Sequence, residues 1–207
     1  MLPHEGTHPI LYGTIAVPAG PRVHTGYLAR PDLGGAHPSL ALAADGSGLT
    51  SGIKDVCRRI ARHGVAVVAP VITPGNDGLR LLRDAGAYLR RPGTKWSHAD
   101  RVVVAGIGAG AEAAIAAAEG AAAAVVVSPR FGGEDPPRCA VPLLGLMVKD
   151  APELTDGALR RLREVNPRAE LVVYQNAAAG FLDVGDDSFD DAVATDAIRR
   201  IVSFVTG

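Results

Sequence analysis

Short apolar runs, each followed by a one-faced helical pattern, fix what this chain can fold into. Leu40–Ala44, Val65–Ala69, Val102–Ala105, Ala123–Val127, Val141–Val148 and Leu171–Tyr174 are apolar almost throughout. A strand that is apolar on both faces must be covered on both faces, the condition of a parallel sheet between two helical layers. Between the runs, Ile53, Val56, Cys57, Ile60 and Ala61 fall at i, i+3, i+4, i+7 and i+8, one side of a helix stopped by Gly64. Leu81, Leu82, Ala85, Tyr88 and Leu89 predict a second helix, closed by Pro92-Gly93. A third is predicted around Gly157–Glu164, and Ala194, Ile198, Ile201, Val202 and Val205 predict a terminal one. Tyr12–Val17 and Val23–Leu28 predict an opening hairpin across a Pro/Gly turn. The expectation is an α/β protein with a mostly parallel sheet of about seven or eight strands and helices on both faces. No linker or repeat interrupts the pattern, so residues 1–207 are expected to form a single domain.

The formal net charge of −1 gives no electrostatic case for nucleic acid or an acidic membrane surface. Two cysteines, Cys57 and Cys139, are too few for a disulfide framework and are expected to be buried reduced thiols. Met1–Ile10 has no leader-like apolar run. The Ala-rich stretch Ala111–Val127 is broken by Glu112 and Glu119, so it does not read as a membrane span. A cytoplasmic protein is expected.

One segment carries a chemical signature. Arg101-Val-Val-Val-Ala-Gly-Ile-Gly-Ala-Gly110 reads as a buried strand running into a glycine turn, with a helix from Ala111 to about Glu119. A strand–turn–helix spelled Gly-x-Ser-x-Gly or Gly-x-Cys-x-Gly is a nucleophile elbow. Here the frame is Gly106-Ile107-Gly108-Ala109-Gly110, with glycine in the nucleophile's place.

The segments around that turn resemble the dienelactone hydrolase family of α/β-hydrolases. The pieces are Tyr27-Leu-Ala-Arg-Pro31, His37-Pro38 before Leu40–Ala44, the helix from Ile53 to Gly64, Val67-Val68-Ala69-Pro70 and Asp100-Arg101-Val102. The ending, from Tyr174 through Gly180-Phe181 to an Asp-rich loop and last helix, completes the order. The resemblance implies an α/β-hydrolase fold and a triad of nucleophile, His and Asp. It places the nucleophile at Gly108, the His at Ala179 and the acid at Asp150. Oxyanion-hole donors fall at Gly46 and Ala109, and Asp45 matches a family Glu that points at the nucleophile. Ser47, Ile107, Ser128, Arg130 and Phe181 are the further binding candidates around the pocket. Asp183 stands where some members carry an Arg for a substrate carboxylate, which argues against a dianionic substrate.

No other residue takes over the missing roles. The histidines are His4, His8, His24, His37, His63 and His98, and none follows position 98 to arrive on the loop that delivers the base. His37 and His98 are expected in turns at the opposite rim of the sheet. Hydrolysis is therefore not expected, and three readings remain open. The first is a repurposed non-hydrolytic enzyme of isomerase, epimerase, cyclase or lyase type, acting on a small carbonyl or carboxylate compound through Asp45 and a backbone oxyanion hole. The second is a catalytically silent small-molecule-binding or scaffold protein. The third is an NADP-type nucleotide-binding module, with Gly106-x-Gly108-x-x-Ala111 as fingerprint and Arg130 as phosphate partner. Asp45 is either an acid/base group or a brace for the turn Asp45-Gly46-Ser47-Gly48, and Arg130 either clamps an anion or is a solvated loop residue. Under the first two readings no cofactor and no metal is expected. The expected partner is a small-molecule ligand, not nucleic acid or membrane, and the oligomeric state stays open.

Overall fold

The computed structural model describes residues 6–44, 48–75, 77–131, 137–149, 151 and 155–207. The chain opens with a hairpin of β1 (Ile10–Ala19) and β2 (Arg22–Pro31). Strands and helices then alternate: β3 (His37–Ala43), α1 (Ser51–Arg62), β4 (Ala66–Pro70), α2 (Gly78–Leu89), β5 (Ser97–Ile107), α3 (Gly110–Ala116) and β6 (Ala124–Val127). β7 (Leu143–Val148), α4 (Asp156–Val165), β8 (Ala169–Tyr174) and α5 (Asp191–Thr206) complete it. The eight strands form one sheet in the order β1-β2-β4-β3-β5-β6-β7-β8. β2 runs antiparallel to both its neighbours; every other pair is parallel.

Alternation along the strands divides the core in two. Val103 and Ala105 of β5 face the side covered by α1 and α5, with Leu40, Val67, Val125 and Leu144. Val102 and Val104 face the side covered by α2, α3 and α4, with Ala41, Val68 and Val126. This is the covered parallel sheet that the apolar runs imply. α1 forms because its stripe Ile53, Val56, Cys57, Ile60 and Ala61 is buried and Thr50 caps it, the Thr50 hydroxyl accepting from the Ile53 N–H at 3.1 Å.

Several expectations are corrected. α3 ends at Ala116 rather than about Glu119, because the chain turns back at once: the Ala118 N–H donates to the Ile115 carbonyl and Gly120 has φ 75°. β7 begins at Leu143, not Val141. His37 and His98 lie in strands, because β5 extends beyond its apolar run and His37 stands opposite Ser97. Both are at the N-terminal end of the sheet. Cys57 is fully buried, whereas Cys139 is only half-buried, since it lies in the irregular approach to β7. Among the described residues no helix is long and apolar enough to cross a membrane.

Candidate functional site

The strand order itself marks a place for a ligand. From β3 the chain crosses to β4 on one side, and from β5 it crosses to β6 on the other. At such a switch point the loops leaving two adjacent strands part and leave a crevice at their carboxyl ends. A cavity of about 460 Å³ opens there. Ala44 and Gly48 border it after β3, Ile107 and Gly108 after β5, and Ser128 and Arg130 after β6. The loop after β8 brings Ala179, Gly180, Asp183, Asp186 and Ser188 to the same space, and α1 contributes Thr50 and Ile53.

Gly108 occupies the turn between β5 and α3 with φ 58°. Its N–H donates to the Val127 carbonyl at 2.9 Å, and its carbonyl accepts from Ala111 N–H at 3.2 Å. The two flanking glycines are demanded by packing. A Cβ on Gly106 would fall on the Gly110 carbonyl, and one on Gly110 would lie 2.5 Å from the Ala43 carbonyl oxygen. β5, α3 and the end of β3 are thus pressed backbone to backbone. The strand, turn and helix close around a residue with no side chain.

Ser128 is the only described non-glycine residue with positive φ, at 43°. Its N–H continues the β6–β7 ladder to the Leu146 carbonyl at 2.8 Å. The residue is 5% exposed, and its Oγ is the one buried side-chain oxygen or nitrogen without a hydrogen-bond partner among the described residues. Backbone strain and an unmet hydroxyl therefore coincide on the cavity wall.

The other polar groups of the wall are engaged. Thr50 Oγ1 donates to Asp183 Oδ2 at 2.9 Å, and the Gly185 N–H donates to Asp183 Oδ1 at 2.8 Å. A Cβ on Gly52 would fall on the Asp183 carboxylate, so the glycine at the start of α1 lets that carboxylate in. Asp186 Oδ1 accepts from the Ser188 hydroxyl at 2.6 Å and from the Ser188 N–H at 2.9 Å. These bonds hold the Asp186 carboxyl below its ordinary value. Its carboxylate takes the space that a side chain on Gly180 would fill. The described wall thus carries two carboxylates and one guanidinium, and none of its described residues is His or Cys.

Of the residues singled out from sequence, Ile107, Gly108, Ser128, Arg130, Ala179 and Asp183 meet at this cavity. Asp45, Gly46, Ser47 and Asp150 lie outside the described residues. Ala109 is the cap position that opens α3. Phe181 is a correction: it is fully buried in the core and packs against Tyr174 with ring centroids 5.4 Å apart, instead of lining the cavity. An apolar ring gains more from the α1–α5 core than from a polar pocket. Sequence reasoning missed Thr50, Asp186 and Ser188. In the sequence Asp186 and Ser188 are only members of an Asp-rich loop, and Thr50 is a helix-capping residue type before the α1 stripe.

The sheet and its helices have the α/β-hydrolase fold, shared with dienelactone hydrolase-like structures. A structure from Klebsiella pneumoniae assigned as a dienelactone hydrolase superposes with a TM-score of 0.81 at 21% identity, covering 96% of this chain and 99% of that one. A dienelactone hydrolase-like promiscuous phosphotriesterase from metagenomic libraries gives 0.73 at 15% identity, covering 95% and 98%. No family model and no curated protein matches the sequence. The six strands from β3 onward follow an order different from that of the dinucleotide-binding fold, and Gly106-x-Gly108-x-x-Ala111 opens the third of their βα units instead of the first.

Proposed function

We propose that this chain is a non-hydrolytic protein of the α/β-hydrolase fold. It holds a small carbonyl or carboxylate compound in the cavity beside Gly108 and moves a proton next to the carbonyl with Asp45. One observation carries the reading: Gly108 and Ala179 border the same cavity, and neither has a side chain able to attack a carbonyl or shuttle a proton. Covalent hydrolysis on this fold needs both. A cavity at the switch point remains all the same, and a cavity there is where this class of sheet binds its ligands.

Asp45 enters this reading from its place in the sequence, just before the expected oxyanion-hole amide of Gly46. A carboxylate beside donors aimed at a carbonyl oxygen is the minimum for forming an enolate. The second reading, a binding protein without chemistry, is favoured by the alanine at position 179 and the glycine at 108.

Two measurements test these statements. p-Nitrophenyl acetate is expected to give no acyl-enzyme burst and no turnover above buffer; a burst overturns the non-hydrolytic assignment. Deuterium exchange from solvent into the methyl group of pyruvate, followed by proton NMR, tests the chemistry. Wild type is expected to accelerate exchange and Asp45→Asn to abolish it with an unchanged melting temperature. Equal exchange by both proteins removes Asp45 from the mechanism, and no exchange by wild type leaves the binding reading.

A further inference from the structure

Two stretches of the cavity wall differ in what they ask of a ligand. Beside Gly108, the Ser128 hydroxyl is buried without a partner among the described residues, and Arg130 borders the cavity two residues on. A buried hydroxyl in that state is a donor waiting for an acceptor. No described hydrogen bond holds its rotamer, so a rotation that brings Oγ to a ligand in the cavity that the residue borders breaks none.

The second stretch lies on the loop after β8. Both oxygens of Asp183 are engaged, by Thr50 and by Gly185. Asp186 is different: Ser188 engages Oδ1 alone. Gly180 leaves room for the Asp186 carboxylate next to Ala179, so negative charge stands on the wall from which the fold would deliver its base. An ionised carboxylate only accepts hydrogen bonds and repels a second anion.

We propose that the cavity takes a small molecule with a carboxylate or carbonyl at one end and a hydroxyl or ammonium donor at the other, the first read by Ser128 and the second by Asp186. The proposal rests on the reading of the cavity as a carbonyl or carboxylate site and adds the polarity of the ligand. Dicarboxylates are disfavoured by Asp186, with Asp183 adding to the repulsion. Ser128 sets the orientation, because it is the unmatched donor on the wall nearest Gly108.

The test is an NMR titration of the intact chain with γ-hydroxybutyrate, γ-aminobutyrate and succinate, which share a four-carbon chain and differ at one end. The Gly108 amide reports on the cavity. Wild type is expected to bind the hydroxy and amino acids about tenfold more tightly than succinate. Ser128→Ala is expected to weaken both about tenfold while the melting temperature holds or rises. Asp186→Asn keeps the shape, and is expected to bring succinate to within about twofold of the other two. Succinate binding as tightly as the others in wild type, or unchanged binding by Ser128→Ala, overturns the proposal and leaves the carbonyl-site reading standing. A Gly108 amide that responds to none of the three overturns both.

Discussion

Gly108 and Ser128 stand one residue beyond Ile107 and Val127, the last pair of the β5–β6 ladder, and both have left-handed backbone, with φ of 58° and 43°. Two neighbouring strands therefore leave the sheet through the same unusual turn. For glycine the conformation is free; for serine it costs about 1 kcal/mol. Ser128 carries the added burden of its unmatched hydroxyl, worth about 1–3 kcal/mol when buried. Ser128→Gly removes both. It is expected to stabilise the ligand-free protein by about 1–2 kcal/mol, a rise of a few degrees in melting temperature. A lower melting temperature would show that the hydroxyl is satisfied in solution.

The turn's three glycines are expected to differ sharply in tolerance. At Gly106 and Gly110 an added methyl meets backbone carbonyls of neighbouring segments. Either alanine substitution should cost about 3 kcal/mol or more by urea unfolding. Gly108→Ala carries the conformational cost of its φ of 58°, about 1–2 kcal/mol. If the Gly106 and Gly110 variants lose less than about 1 kcal/mol, the close backbone packing on both sides of the turn is wrong.

Much of this architecture was legible in the sequence, and the exceptions have a common cause. Continuous runs such as Val102–Ala105 announce buried strands, because nothing else hides a run of that length on both faces. The α1 stripe from Ile53 to Ala61 and the stop at Gly64 are equally direct. What failed was decided by backbone pairing or by distant packing. His98 joins a strand because residue 37 supplies a partner opposite Ser97, which no local pattern reveals. Phe181 looks like a site residue by its place in the chain, yet the core claims its ring. At the site, the lack of a reactive side chain at positions 108 and 179 is plain from residue identity alone. The strain at Ser128 and the seating of Asp186 over Gly180 depend on three-dimensional approach and leave no trace in composition.

Alkaline pH should expose the burial of Cys57. Burial pushes its thiol up to about 12, against about 8.5 in an unfolded chain. The folded state keeps the proton that the unfolded state releases. The contribution is therefore fully present below about pH 8.5 and is lost as pH rises toward 12, at about 1.4 kcal/mol per pH unit. Tyr174 is also raised, chiefly by burial and then by its bond to Asp196, but its unfolded counterpart ionises only near pH 10. Between pH 8.5 and 10 the expected loss from Cys57 is thus about 2 kcal/mol, and Cys139, whose thiol burial also raises, adds to the decline in both proteins. Urea midpoints of wild type and Cys57→Ala at the two pH values decide the matter: the variant should show a flatter decline, and parallel declines would exclude the thiol.

Asn166 should prove the polar linchpin of the lower core. Its buried side chain accepts from the Cys139 N–H at 2.6 Å and donates to the Pro137 and Leu162 carbonyls at 3.0 and 3.1 Å. Asn166→Leu keeps the volume and strands the Cys139 N–H and the Pro137 carbonyl. A loss of about 2–4 kcal/mol is expected in urea unfolding. A loss below about 1 kcal/mol would mean that water reaches the segment before β7 and replaces the side chain.

The seating of Asp183 against Gly52, and of Asp186 against Gly180, also constrains how this sequence can change over generations. Neither glycine can gain a side chain while its aspartate fills the space. The aspartates can be exchanged for smaller residues at any time, after which the glycines are released. Substitution is therefore ordered: aspartate first, glycine second. A lineage moving from this cavity toward one that welcomes a dianion has an open first step at position 183 or 186. A lineage arriving from the other direction must already have held small residues at 52 and 180 before either carboxylate could appear. The two pairs act as a ratchet whose direction of travel is set by steric room, independent of whatever the cavity is selected to bind.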